Sequence, residues 1–152
     1  MIPESRLIQS ELTIRGLTLP DDVLLARKSL LRWVALSLGM VSPNESRTLL
    51  LDILDVLFEF SAKNESPTTR DILARLEQKT KKGPNPKAVY YHLQKLKDNG
   101  IISRKKGRYV LGDGEESSLK EIFRKTYLRK TENAFSRIGK ALDKLENGYK
   151  KV

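Results

Sequence analysis

The sequence contains no cysteine and only one histidine among its 152 residues. The absence of cysteine excludes disulfide bonds and every zinc site that needs thiolate ligands. The single histidine, His92, has no histidines or carboxylates near it at ligand spacing, so we expect no metal or other cofactor and a packing role for its ring. Phosphate-binding glycine motifs are also missing. No residue pattern is typical of a catalytic site, and we expect that the protein is not an enzyme.

Long apolar runs are lacking as well. The most apolar stretches, residues 23–38 and 49–60, are interrupted by charged side chains and are too short to span a bilayer. The first twelve residues contain no apolar segment of signal-peptide length. The sequence therefore predicts a cytoplasmic protein without a membrane partner.

One segment in the second half of the chain contains almost no acidic residues. The whole sequence carries 29 Lys and Arg against 19 Asp and Glu, a formal net charge of +10. Ten of the basic residues lie between Lys79 and Arg108, where Asp98 is the only acid. A basic excess concentrated in one segment indicates a polyanionic partner such as nucleic acid.

That basic segment contains a predicted helix that begins at Pro86. Asn85 is a favourable N-cap, and proline suits the first helical position because its missing N–H would have no partner there. Gly100 supplies the left-handed residue that ends a helix. The spacing of the apolar residues indicates one buried helix face, formed by Val89, Leu93 and Leu96.

The opposite face of this helix is polar, aromatic and basic, and it is followed by a basic hairpin. Residues 101–104 and 108–111 resemble strands, and residues 105–107 form the turn between them. These surfaces suit a duplex groove and its phosphates, with Gln94 able to read adenine, although a solvated surface is the alternative. The candidate DNA-binding residues are Lys87, Tyr90, Tyr91, Gln94, Lys95, Arg104, Lys105, Lys106 and Arg108.

The pattern of this helix and hairpin resembles one known family. Val89, His92, Leu93, Leu96, Gly100, Ile101 and Ile102 together are similar to the recognition helix of ArsR-like and PadR-like winged helix-turn-helix regulators. The resemblance covers about residues 43–112. It implies base contacts near the start and middle of the helix, which match Lys87, Tyr90, Tyr91 and Gln94. Pro86, Lys87 and Ala88 depart from the small hydroxyl residues common at these positions, which leaves the target sequence open.

Capping patterns predict four further helices. Their starts fall near residues 19, 43, 69 and 119, where Thr18, Ser42, Thr68 and Ser118 each precede an acidic residue by three positions. The expected spans are 20–38, 43–62, 69–78 and 118–147. Residues 11–15 alternate like a strand.

The helices at the two ends of the chain are candidates for subunit contacts. The helix 20–38 is apolar around nearly its whole circumference, and the helix 118–147 carries apolar residues in a heptad-type pattern. Gly139 inside the latter either permits a close helix crossing or weakens the seam. A small-molecule pocket around Trp33 is an alternative to a subunit contact. The candidate dimerisation residues are Leu24, Leu31, Trp33, Phe135, Ile138, Leu142 and Leu145.

Together these patterns predict a mainly α protein with a winged helix-turn-helix, a two-stranded wing, and additional N-terminal and long C-terminal helices. The expected domains are residues 1–41 for packing or dimerisation, 42–114 for DNA binding and 115–152 for dimerisation. We expect a homodimeric, nucleoid-associated transcriptional regulator that binds double-stranded DNA sequence-specifically. A protein-interaction module in a larger assembly and an RNA-binding protein remain the alternatives.

Overall fold

A computed structural model of the protein describes residues 1–116 and 118–151. This part of the chain is mainly helical, with one two-stranded antiparallel sheet. In order, its elements are a 3-10 helix (Pro3–Leu7), α1 (Asp21–Leu24), α2 (Arg27–Ser37), α3 (Leu49–Ala62), α4 (Thr69–Thr80), α5 (Pro86–Asp98), β1 (Ile102–Lys105), β2 (Arg108–Leu111) and α6 (Leu119–Lys150).

One hydrophobic core is shared by α3, α4, α5, the hairpin and the beginning of α6. The burial predicted for the inner face of α5 is confirmed, because Val89, Leu93 and Leu96 are all less than 5% exposed. From α6, Ile122 joins the same core. The remaining buried members are Ile53, Leu54, Val56, Leu57, Ile72, Leu76, Ile101, Ile102, Tyr109 and Leu111.

The start of α4 has the local geometry that its sequence predicts. The hydroxyl of Thr68 accepts a hydrogen bond from the backbone N–H of Asp71, and the carboxylate of Asp71 accepts one from the backbone N–H of Thr68. This reciprocal pair satisfies two of the N–H groups that a helix start leaves without partners. The backbone N–H and the side chain of Thr68 both favour the charged carboxylate, so they hold the pKa of Asp71 below its usual value.

The predicted continuous helix 20–38 is wrong, because the chain breaks between α1 and α2. Ala26 is extended, with φ −123° and ψ 123°, and Leu25 is 86% exposed. Apolar residues occupy nearly every position here, so the pattern carries no helical phase that distinguishes one continuous helix from two. The break turns Leu24 and Leu25 outward while α2 packs against α3.

Two further predictions in the first half of the chain are wrong. The helix expected from residue 43 begins only at Leu49, because residues 42–45 form a turn in which the N–H of Glu45 donates to the carbonyl of Ser42. Residues 11–15 are not a strand. Instead, the guanidinium of Arg15 donates to the carbonyl oxygens of Leu36 and Val41, at 2.7 and 3.0 Å, and so ties this segment to the end of α2.

The long helix predicted at the C-terminus is confirmed as α6, which extends three residues beyond its expected end. The hydroxyl of Ser118 caps it by accepting a hydrogen bond from the N–H of Glu121. Only its first turns contact the core, through Ile122, Phe123 and Tyr127. From Leu128 onward, its large apolar side chains are about half exposed or more.

Candidate nucleic-acid interface

Helix α5 presents its predicted polar face to solvent. The side chain of Asn85 accepts hydrogen bonds from the backbone N–H groups of Lys87 and Ala88, at 3.0 and 3.5 Å, which fixes the start of the helix. Its basic and aromatic residues therefore stand on a well-defined scaffold, opposite the buried Val89 and Leu93. The exposed candidate residues of this helix are Lys87, Tyr90, Tyr91, Gln94 and Lys95.

Gln94 and Tyr90, on this face, differ in whether their side chains already have a partner. The amide nitrogen of Gln94 donates to the carboxylate of Asp98, one turn later, at 2.8 Å. A bidentate contact from Gln94 to a base therefore requires this hydrogen bond to be exchanged. Tyr90 is 51% exposed and makes no hydrogen bond or ring contact within residues 1–116 and 118–151.

The middle of α5 carries a small aromatic and cationic cluster. The ammonium group of Lys95 lies 5.5 Å from the centre of the Tyr91 ring, within cation–π range. The rings of Tyr91 and His92 meet edge-on, with centroids 5.4 Å apart. Burial and the nearby charge of Lys95 lower the pKa of His92, while Glu45 opposes them. His92 is therefore a half-buried, neutral ring at pH 7, which agrees with its expected packing role.

The hairpin is built from the two predicted strands, displaced by one residue at β1. Ile102 pairs with Leu111 and Lys105 pairs with Arg108, so the turn contains two residues rather than the expected three. Lys106 and Gly107 both have positive φ, 53° and 78°, the conformation that two-residue hairpin turns require. This turn places basic side chains on both sides of the tip.

Internal contacts orient three of the four hairpin cations. The guanidinium of Arg104 lies 5.2 Å from the centre of the Tyr109 ring, and that of Arg108 donates to the carbonyl of Ser66 at 2.9 Å. Lys105 donates to the backbone carbonyl of Asp113. These direct partners are neutral, although the carboxylates of Asp113 and Asp71 also feel the charges of Lys105 and Arg108. Lys106 makes no hydrogen bond or ion pair in the described part of the chain.

Lys79 does not belong to the basic surface, although it stands at the start of the basic segment in the sequence. Its ammonium group lies 2.7 Å from Glu59 and also pairs with Asp55, while Arg75 bonds Glu59 at 3.0 Å. This cluster joins α3 to α4. Burial opposes ionisation of Glu59, but the hydrogen bonds from Arg75 and Lys79 outweigh it and lower its pKa.

The fold also brings two cations to α5 that sequence reasoning missed. Arg47, from the segment before α3, lines a hollow of about 410 Å³ together with Tyr91, His92 and Lys95. Lys130 of α6 donates to the side chain of Asn99, just past the end of α5, at 3.0 Å. No local pattern gives these positions, because both depend on how distant segments pack.

The candidate dimerisation residues separate into two groups. Leu31 packs against the core, and the indole N–H of Trp33 donates to the carbonyl of Thr18 at 2.8 Å, so both have partners within the chain. Leu24 is 49% exposed. On α6, four of the candidates are about half exposed: Phe135, Ile138, Leu142 and Leu145.

The described residues contain neither a candidate metal site nor a candidate membrane span. Histidine, aspartate and glutamate side chains do not gather there in groups of three or more, as a metal site would require. No helix within residues 1–116 or 118–151 combines the length and the apolar character needed to cross a membrane.

Comparison of the chain with protein-family models, with curated proteins and with solved structures finds no match in any of the three.

Proposed function

We propose that this protein binds double-stranded DNA through a winged helix-turn-helix formed by α3, α4, α5 and the hairpin, and that it acts as a homodimeric transcriptional regulator. The observation that carries the proposal is the pairing of α5 with the hairpin. A capped helix with an exposed basic and aromatic face leads directly into a tight hairpin whose tip carries four cations.

The dimensions and chemistry of α5 suit a major groove, which admits one α-helix. Gln94 would read a base edge after releasing Asp98. The tyrosines would contact phosphates through their hydroxyls or thymine methyl groups through their rings. In this proposal the outer face of α5 selects the sequence.

The basic side chains supply affinity that does not depend on sequence. Six of the candidate contacts are cations, namely Lys87, Lys95, Arg104, Lys105, Lys106 and Arg108. If each neutralised one phosphate, the logarithm of the binding constant would fall against the logarithm of salt with a slope of about −5 per copy. Hairpin cations would anchor the domain on the backbone or in the minor groove.

An apolar stripe along α6, from Leu128 to Tyr149, supports a homodimer. Leu128, Phe135, Ile138, Leu142, Leu145 and Tyr149 are between 48% and 74% exposed and alternate by heptad spacing with Thr131. Six half-exposed side chains offer roughly 100 Å² each, or about 1,200 Å² for two copies, the lower limit of a stable interface. A dimer would present two copies of α5 to successive major grooves.

The same stripe favours the second candidate function, a protein-interaction module. An exposed apolar face of this length marks an association surface, and it does not specify that the partner is another copy of the chain. In this case the basic surface would make only weak contacts with nucleic acid. RNA binding is a third candidate, because a basic surface can also follow A-form helices.

Fluorescence anisotropy with labelled duplexes of random sequence, titrated across salt concentrations, tests the proposal. We expect micromolar binding at low salt and a steep salt slope, because the contacts are ionic. Competition with duplex RNA distinguishes the two nucleic acids. Absence of binding at low salt would contradict the proposal and favour the protein-interaction module.

A further inference from the structure

An open apolar groove separates α2 from the first turns of α6, with α3 as its floor. It encloses about 550 Å³, within the range of small-molecule sites in proteins. From Arg27 to Leu38, its wall on α2 extends about 16 Å at the helical rise per residue. The groove is therefore long enough to take an extended ligand.

The lining is aliphatic and aromatic. Phe58 of α3 and Phe123 of α6 meet edge-on, with ring centroids 6.2 Å apart, and both pack on the core behind them. Leu31 and Val34 of α2 line the groove and remain only half buried in the described part of the chain. The groove is thus a preformed apolar surface, and covering it with apolar atoms of a ligand would be favourable.

In the described part of the chain, the acidic residues of the groove are paired, whereas its basic residues are not. Its two acidic residues, Asp55 and Glu59, are already paired with Lys79 and Arg75. Its two basic residues are Arg27 and Lys120, and within residues 1–116 and 118–151 neither forms an ion pair or a hydrogen bond through its side chain. The free charge of the groove is therefore positive.

We propose that this groove binds a free long-chain carboxylate. Its alkyl chain lies along the apolar walls of α2, α3 and α6, and its carboxylate pairs with Arg27 or Lys120. A monoanionic amphiphile matches both features at once, since a neutral apolar ligand leaves the cations unused and a small anion leaves the walls uncovered. This site does not depend on nucleic-acid binding.

Calorimetric titration of the full chain with octanoate, decanoate and dodecanoate, below their micelle concentrations, tests the apolar part of the site. Each added methylene should tighten binding about fourfold, because each one removes further apolar surface from water. Binding that is absent or does not saturate for all three ligands overturns the proposal, including the case in which a second copy of the chain covers the groove.

Variants and a neutral ligand test the two halves of the site separately. Arg27→Gln with Lys120→Gln should weaken decanoate at least fivefold and leave 1-decanol unchanged. The matched control, Lys140→Gln with Lys144→Gln, removes two exposed cations far along α6 and should change neither ligand. Equal weakening of decanoate by both variants would show only a general charge effect and would overturn the assignment of the carboxylate.

Ala62→Phe fills the groove from an exposed position on α3 and should weaken decanoate and 1-decanol alike. Circular dichroism and thermal denaturation establish that this variant retains its fold. If folded Ala62→Phe binds decanoate as tightly as the unchanged chain, the ligand lies elsewhere and the proposal is overturned.

Discussion

The hydroxyl of Tyr127 on α6 donates a hydrogen bond to the backbone carbonyl of Leu38, 3.0 Å away, at the end of α2. The two residues are 89 positions apart, so this bond joins the C-terminal helix to the N-terminal part of the chain. Burial of the phenol raises the pKa of Tyr127, which keeps the donor protonated at neutral pH.

Tyr127→Phe removes this hydrogen bond and retains the ring. We expect the free energy of unfolding to fall by about 1 kcal/mol, because the carbonyl of Leu38 loses its donor in a half-buried place. Thermal and urea denaturation measure the change. Tyr149→Phe is the matched control, since Tyr149 is 74% exposed. Equal effects of the two substitutions would mean that the bond to Leu38 adds no stability.

Lys79→Met should destabilise the protein by about 1 kcal/mol or more, because it leaves Asp55 and Glu59 without their shared cation in a partly buried place. Urea denaturation at pH 7 gives the value, with Lys140→Met as the exposed control. The pKa of Glu59 is lowered in the folded protein, so its contribution is present above its ordinary pKa of 4.5 and is lost as pH falls through the folded pKa. Lys79→Met should therefore also flatten the acid dependence of stability, and an unchanged profile would contradict this account.

Stability should fall as pH drops below about 6.5, the ordinary pKa of His92. The folded state lowers the pKa of this ring by burial and by the charge of Lys95, so the unfolded chain binds the proton more readily. The loss continues until pH passes the lower folded pKa. His92→Gln should remove this part of the pH dependence in denaturation experiments between pH 5 and 8. A variant with the same dependence as the unchanged protein would assign it to other groups.

Lys106→Ala should weaken binding to all duplexes alike and reduce the magnitude of the salt slope by about 1 per copy. Lys106 has no partner in the described residues, so the substitution removes a cation without disturbing an internal contact. Gln94→Ala should instead alter the preference among sequences at a nearly constant slope. Anisotropy titrations measure both quantities. If both variants weakened every duplex equally, the proposed division between anchoring and reading would be wrong.

Ile138→Glu with Leu142→Glu should convert the proposed dimer into a monomer, because two charges would enter the centre of the apolar stripe on α6. Sedimentation equilibrium measures the association. Asn133→Glu with Asn147→Glu adds the same charge on the opposite side of the heptad and should leave association unchanged. A chain that is monomeric before any substitution would contradict the proposal directly.

Local sequence was sufficient for α4, α5, the hairpin and α6. In each case a side chain bonds to the backbone of a residue within three positions, as Asn85 does with Lys87, or a glycine takes a positive φ where the chain must turn, as at Gly100. In α5 the cap fixes where the helix begins, and the apolar spacing fixes which face is buried. Both signals are local, so neither depends on tertiary contacts.

Distant contacts decided the features that the sequence did not predict. The pattern around Ser42 fits a capping box, but a turn forms there instead, while Arg15 fixes the preceding segment through Leu36 and Val41. The ion pair of Lys79 with Glu59 follows from the packing of α4 on α3. Charge along a sequence shows how many cations a segment holds, whereas the fold determines which of them already have partners.

The turn at the hairpin tip implies a conflict between charge and backbone at a single residue. Left-handed backbone at Lys106 costs a branched or long side chain about 1 kcal/mol relative to glycine, and asparagine is better suited to the position. Lys106→Asn should therefore raise the stability of the hairpin while removing a cation from its turn. Lysine at this position therefore places an exposed positive charge on a backbone conformation that glycine or asparagine would adopt at lower cost.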